Sequence, residues 1–246
     1  MNILVLFESD REGYCFKPLV ESLKETHEVT LHVVSVYNDL RKIENMLHKH
    51  NYDLVVAGSG LAASLPGVVS SLTKVPVFGL PVETHFGGID ALLSMLQMPM
   101  GNPVLTAKVG GHNEIVQFIS LIDSSLKKMD TVNLIVDGGV MEYEYMNNEI
   151  NRTRVLCEDK GLELRSSGTI DKDCFNICLV TDPDMIHAND MCLHVPVLEN
   201  TMREKPTEAF MIYEWIDKGG IWLGVDNARN AVLSFLRLRT MVENKR

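Results

Sequence analysis

The sequence predicts an α/β protein, a doubly wound parallel sheet with helices on both faces, built twice over in one chain. Three observations carry this expectation. Short apolar runs alternate with segments of helical rhythm along all 246 residues, the pattern of successive strand–helix–strand units. The apolar run 54–57 breaks into Gly58-Ser59-Gly60 and then an apolar helical segment. Open α/β sheets bind ligands at such turns, because N–H groups at the helix start face the crevice. After Asp130 the whole pattern begins again.

Residues 2–7 (NILVLF) form the first strand, apolar enough for burial on both faces, and end at the polar Glu8-Ser9-Asp10. Residues 15–24 follow as a helix with Phe16, Leu19, Val20 and Leu23 on one face. The second strand, 29–34, ends in Ser35-Val36-Tyr37-Asn38. Asp39 then caps a helix that turns Leu40, Ile43, Met46 and Leu47 inward. Its terminal His48-Lys49-His50 reads as a solvated end whose cations suit the helix dipole. Residues 53–57 and 75–80 are the third and fourth strands, and the loop 81–88 feeds a helix over 89–96. Met98-Pro99-Met100-Gly101-Asn102-Pro103 stops that helix, since proline cannot continue it. A fifth strand, 104–109, precedes a helix over 113–128.

The second half repeats the scheme. Residues 132–136 are a strand, 146–160 a helix stopped by Gly161, and 162–165 a short strand. Residues 175–180 end in Thr181-Asp182-Pro183, where the first half has glycine. Residues 194–199 echo 74–79, the helix 208–216 mirrors 90–96, and 221–227 with a helix from Ala228 echo 106–113. The expected division is a pocket-bearing domain over 1–129 and a degenerate copy over 130–246, packed on the first. Proline in the second copy's turn removes a donor, so its pocket is expected to be lost.

Composition excludes several classes. Apolar residues are 46% and charged residues 23% of the chain, the make-up of a globular protein. The net charge of −10 disfavours a nucleic-acid partner, which needs a basic stripe. No apolar stretch reaches the roughly 20 residues of a membrane span, and the opening residues carry no basic leader. Five cysteines with scattered spacing point to a reducing cytoplasm rather than a disulfide framework. Cys174 and Cys178 read as core packing on one strand face, and the loose group His187, Cys192 and His194 does not read as a metal site.

One stretch carries a resemblance. Gly58-Ser59-Gly60-Leu61-Ala62-Ala63-Ser64-Leu65-Pro66-Gly67 is followed by Val75-Pro76-Val77, Pro81-Val82, Asp90-Ala91-Leu92-Leu93-Ser94, Gln97-Met98-Pro99 and Gly101. In that order they resemble the family of aminoimidazole ribonucleotide carboxylases and carboxyaminoimidazole ribonucleotide mutases of purine synthesis. The resemblance implies a three-layer α/β/α sandwich of flavodoxin-like type. It also implies a large homo-oligomer and a ribonucleotide bound at the first three strand ends, in a cleft completed by a neighbouring subunit. For chains of two domains, a tetramer would match the family's octamer. The implied reaction adds, removes or transfers carbon dioxide, with CO2 or bicarbonate as second partner and no metal or organic cofactor.

The resemblance also assigns residues. Ser9, Asp10, Ser35, Asn38, Ser59 and Ser64 would face the ribonucleotide with hydrogen-bonding groups, alongside Ala63 and Leu65. Gly58 and Gly60 would let backbone approach it. The family's second strand ends in Ser-Ala-His-Arg, the histidine its acid/base and the arginine its phosphate grip; this chain has Ser35-Val36-Tyr37-Asn38. Tyr37 therefore stands at the acid/base position, although free tyrosine titrates at about 10. His85, with Glu83 beside it to raise its pKa, is the other candidate for that work. His112, at the next strand end, is a further one.

Two other functions fit less of the pattern. A pyridinium-nucleotide carboxylase of the nickel-pincer cofactor type shares the Gly87-Gly88 and Ala91-Leu92-Leu93 pattern, but its cysteine nucleophile has no counterpart in the recognised stretch. A regulatory protein that kept the pocket and lost the catalysis would explain Tyr37, Asn38 and Ser64.

Overall fold

The computed structural model describes residues 1–49, 51–126 and 129–244. His50 and the predicted helix end at Lys127 and Lys128 lie outside the described residues. The first half contains strands β1 (Asn2–Phe7), β2 (Glu28–Val33), β3 (Leu54–Ser59), β4 (Val77–Pro81) and β5 (Leu105–Thr106). Its helices are α1 (Gly13–Lys24), α2 (Val36–Lys49), α3 (Leu65–Leu72), α4 (Ile89–Leu96) and α5 (His112–Ser125). The second half has β6 (Thr131–Ile135), α6 (Glu144–Asp159), β7 (Glu163–Ser167), β8 (Phe175–Val180) and β9 (Cys192–Pro196). It ends with α7 (Asn200–Arg203), α8 (Glu208–Asp217), β10 (Ile221–Trp222) and α9 (Ala228–Asn244).

All ten strands form one sheet in the order β2-β1-β3-β4-β5-β10-β9-β8-β6-β7. Every neighbouring pair is parallel except β5 and β10, which meet antiparallel at Thr106 and Trp222. The halves therefore join edge to edge, and β7-β6-β8-β9-β10 repeats the order β2-β1-β3-β4-β5. Because the seam is antiparallel, the two sets of strand carboxyl ends open at opposite edges of the sheet. Apolar residues of α1, α5, α6 and α9 share one buried cluster with the sheet. The other face is covered by α2 and α3 in the first half and by α4 and α8 at the middle. The result is an α/β/α sandwich of flavodoxin-like type, thinner over the second half, where no helix joins β7 to β8 among the described residues.

Several boundaries differ from expectation for local reasons. Asp39 does not cap the second helix. The N–H groups of Asn38 and Asp39 already donate to Ser35 O, so α2 begins at Val36 and Asp39 sits in a kink at φ −121°. The fifth strand is two residues rather than six, because Lys108 O turns back to accept from Gly111 N–H at 2.9 Å. Cys174 lies one residue before β8 rather than within it.

The echo of 194–199 with 74–79 has the wrong register. Pro196 pairs with Val180 as Pro81 pairs with Ser59, so His194 takes the place of Gly79, not Lys74. The final echo is also out of register, by at least one residue, because Gly110 corresponds to Asp226 rather than to Val225. Gly110 and Asp226 are both left-handed (φ 67° and 53°), and each donates its N–H to the equivalent proline carbonyl, Pro81 and Pro196, at 2.9 Å.

The second half grips the most recognisable motif of the first. Buried Asn230 accepts from Gly101 N–H at 3.0 Å and donates to Pro99 O at 3.1 Å, while Asn227 donates to Met98 O at 3.1 Å. Arg237 adds a bond to Gly101 O at 3.2 Å.

Candidate functional site

The carboxyl ends of β1 and β3 meet over a pair of glutamates. Ser9 caps a short turn, Asp10–Glu12, and the sequence Ser9-Asp10-Arg11-Glu12 closes a capping box. Ser9 Oγ accepts from Arg11 N–H at 3.2 Å. In return Glu12 Oε2 accepts from the N–H groups of Glu8 and Ser9, each at 3.1 Å. Glu12 Oε1 reaches across to the turn after β3 and accepts from Gly60 N–H at 2.9 Å. Three backbone donors thus converge on one carboxylate that is only 7% exposed. Burial raises the pKa of Glu12, and the N–H bonds oppose that rise.

Glu8 follows β1 directly and is half-buried. Its Oε2 accepts a short hydrogen bond from the Ser59 hydroxyl, and its buried Oε1 makes none. Desolvation raises its pKa, opposed by Ser59 and by the Val36 backbone. The Ser64 hydroxyl at the start of α3 is likewise buried without a hydrogen bond.

Glycine at 58 and 60 has an internal cause. A Cβ on Gly58 would lie 2.1 Å from the Phe7 ring, and one on Gly60 would lie 2.5 Å from Thr84 Cγ2. Each keeps space for a neighbouring side chain of the chain itself.

Other loops form the rim. The Tyr14 hydroxyl donates to Glu83 O at 2.8 Å and ties the start of α1 to the loop after β4. Within that loop Phe86 is left-handed (φ 53°) and 85% exposed, an uncommon posture for a bulky residue. Tyr213 of α8 donates to Gly87 O at 3.4 Å. Tyr14 and Tyr37 in the first turns of α1 and α2, and Leu61 and Phe86 in the loops after β3 and β4, all expose large apolar surface.

The predicted residues divide accordingly. Ser9, Ser59 and Gly60 join the glutamate pair through the bonds above. Asp10, Tyr37 and Asn38 are exposed and make no side-chain hydrogen bond among the described residues, and the same holds for His85. Ser35 contributes its N–H, which donates to Asp39 Oδ2 at 3.4 Å. Ala63 packs with Ala91, Met95 and Val104, and fully buried Leu65 packs with Val55 and Ala57 of β3. The side chains of Ala63 and Leu65 belong to the core. His112 Nδ1 is within 3.1 Å of Gly110 O in its own loop.

Glu8 and Glu12 were missed, because the run ESDRE reads as a solvated loop and the partners on β3 are distant in sequence. The Ser-x-x-Glu box was the signal that marks Glu12.

Among the described residues no group of three or more His, Cys, Asp or Glu is placed to hold a metal ion. All five cysteines are buried free thiols. His194 is fully buried, with Nε2 accepting from His187 N–H at 3.0 Å and Nδ1 donating to Ile221 O at 3.1 Å. Burial lowers its pKa to about 4. No helix among the described residues is long and apolar enough to cross a membrane.

A doubly wound α/β protein with a pair of hydrogen-bonded glutamates at its strand ends is the class these features define. Within that class the chain belongs to the AIR carboxylase family, whose pattern matches residues 2–128. It is 35% identical over 160 residues to the N5-carboxyaminoimidazole ribonucleotide mutase of Saccharolobus solfataricus, covering 63% of this chain and 98% of that one. The mutase of the same name from Methanocaldococcus jannaschii is 35% identical over 131 residues, 51% of this chain and 83% of that one. Chloroplastic phosphoribosylaminoimidazole carboxylase of Vigna aconitifolia is 41% identical over 101 residues, 37% of this chain and 18% of that one.

Proposed function

We propose that the first-half crevice adds, removes or transfers carbon dioxide on a purine-pathway ribonucleotide, with Glu8 as the group that moves the proton. One observation carries this reading: a half-buried carboxyl with raised pKa, held by Ser59, stands at the strand ends with one oxygen unpaired. Carbon dioxide leaves a ring carbon only if that carbon is protonated. The electron pair of the breaking C–C bond takes the proton of the Glu8 acid, leaving a carboxylate that the Ser59 hydroxyl stabilises. Carboxylation is the reverse, with the ring C–H proton passing to Glu8. A carboxyl whose pKa burial raises above its ordinary value is a better acid/base for both directions than a solvated one. Tyr37 and His85, both in solvent, stand behind Glu8 in this assignment. The relatives' names, mutase and carboxylase, support the reaction class.

Under this reading Ser9, Ser35 and Asn38 face the ribose and phosphate, and the exposed Tyr14, Tyr37, Leu61 and Phe86 are covered by a second copy of the chain. The matching strand orders support an origin by duplication, and a tetramer of two-half chains is the assembly we expect. Sedimentation would then read four times 27.6 kDa.

A second reading, a ribonucleotide-binding regulator without turnover, is favoured by one observation. The Glu12 carboxylate already occupies the N–H groups that an anion would use. Isothermal titration with aminoimidazole ribonucleotide and its carboxylated form, coupled to a decarboxylation assay, separates the two. Turnover lost in Glu8→Gln and kept in His85→Ala supports the proposal. Binding without turnover supports the regulator, and no binding at millimolar ligand refutes both.

A further inference from the structure

The second half opens a crevice of its own at the opposite edge of the sheet. There two arginines from different helices reach one residue. Arg203 of α7 donates through Nε to Asp226 Oδ2 at 2.9 Å and to Leu198 O at 3.0 Å. Arg152 of α6 donates through Nη2 to Asp226 O at 3.5 Å and pairs with Glu149. Both Nη groups of Arg203, and Nη1 and Nε of Arg152, make no hydrogen bond among the described residues. The two carboxylates are committed to internal partners. Fully buried Glu149 accepts from Ala228 N–H at 2.7 Å, and Asp226 accepts from Leu198 N–H at 3.2 Å.

Between the guanidinium groups lies a notch of about 190 Å³ lined by Tyr145, Asn148 and Asn200. Arg203 also lines a neighbouring cleft of about 370 Å³, with Lys205, Glu208 and Asp226 at its side and Leu93, Met202 and Val225 in its walls.

We propose that this crevice binds a phosphomonoester, the phosphate in the notch and an apolar or planar body in the cleft. The guanidinium forks match phosphate oxygens. Their tethers to Asp226 and Glu149 fix them beforehand, so less rotamer entropy is lost on binding. Asn148, Asn200 and the Tyr145 hydroxyl supply further donors. Asp137 and Glu199 stand exposed near Tyr145, where salt screens them. The first crevice offers the contrary arrangement, with its N–H donors filled by Glu12.

The test is titration calorimetry with inorganic phosphate and with ribose 5-phosphate at fixed ionic strength, backed by thermal melts. Wild type binds both. Arg203→Met weakens binding by about tenfold or more, the worth of a charged hydrogen bond. Asn148→Asp does the same by placing a negative charge in the notch, and Asn148 is exposed with no side-chain hydrogen bond to lose, so that variant folds. No binding to wild type, or wild-type affinity in either folded variant, overturns the proposal.

Discussion

Replacing Glu12 by alanine tests whether the crevice is held shut by an internal anion. The substitution strands the N–H groups of Glu8, Ser9 and Gly60, which all point at one carboxylate. An unsatisfied buried donor costs about 1–3 kcal/mol. Two of the three are only partly buried, so water entering the space left by the side chain recovers some of that cost. Losing a carboxylate whose charge is disfavoured by burial recovers a little more. A net loss of about 2–4 kcal/mol is expected, which lowers Tm by roughly 5–15 °C in a chain of this size. The informative assay is rescue. Formate is small, planar and anionic, and bound at 10–100 times its Kd it returns about 1.4–2.7 kcal/mol by mass action. Melts in formate against equal chloride should restore most of the lost Tm in Glu12→Ala and leave wild type unmoved. An unchanged Tm in the variant, or an equal formate effect on both proteins, refutes the picture of a filled anion nest.

Other consequences can be checked alongside. Burial holds Glu8 above its ordinary 4.5, so its contribution to stability is complete below that value and is lost as pH rises through the folded pKa. Glu8→Gln, which imitates the protonated form, should melt no lower than wild type at pH 7 while losing turnover; a large drop in Tm would contradict this. His194 runs the other way. Its pKa falls from 6.5 to about 4, so its contribution is complete above 6.5 and is lost as pH falls through 4. That loss is worth about 3 kcal/mol and should appear as a fall in Tm between those pH values. Asn230→Ala removes the bonds to Gly101 N–H and Pro99 O and should cost about 2–4 kcal/mol. An unchanged melt would show that the Met98–Gly101 turn does not depend on the second half.

Much of the architecture is legible in the residues because burial leaves a local trace. NILVLF and FNICLV are buried along nearly their whole length, and near-continuous apolar runs of that length mark parallel strands. The helix over 89–96 is bounded by glycine before and proline after, so its limits are written in the chain. β5 is not legible. Its apolar run looks like a full strand, and the turn that closes it, with Gly111 bonded to Lys108 O and Gly110 to Pro81 O, leaves no trace in the apolar pattern. The site is less legible still. Gly58 and Gly60 mark the crevice, but their small size serves Phe7 and Thr84. The role of Glu12 comes from Gly60, just past the end of another strand. The arginines of the opposite crevice come from helices far apart in sequence, which no local pattern joins.

The seam between β5 and β10 has a consequence for how the sheet comes apart. In a wide sheet the middle strands are ordinarily the last whose amides exchange with solvent, since opening them requires unfolding everything around them. Here the middle is the thinnest place, two residues on each side. The long ladders lie outward, around β1 with β3 and around β6 with β8. Each of those ladders closes within its own half, whereas the seam must bring Thr106 to Trp222, a more distant and slower contact to form. Amide exchange should therefore find two slow islands separated by a faster strip, and refolding should complete both islands before the sheet becomes one.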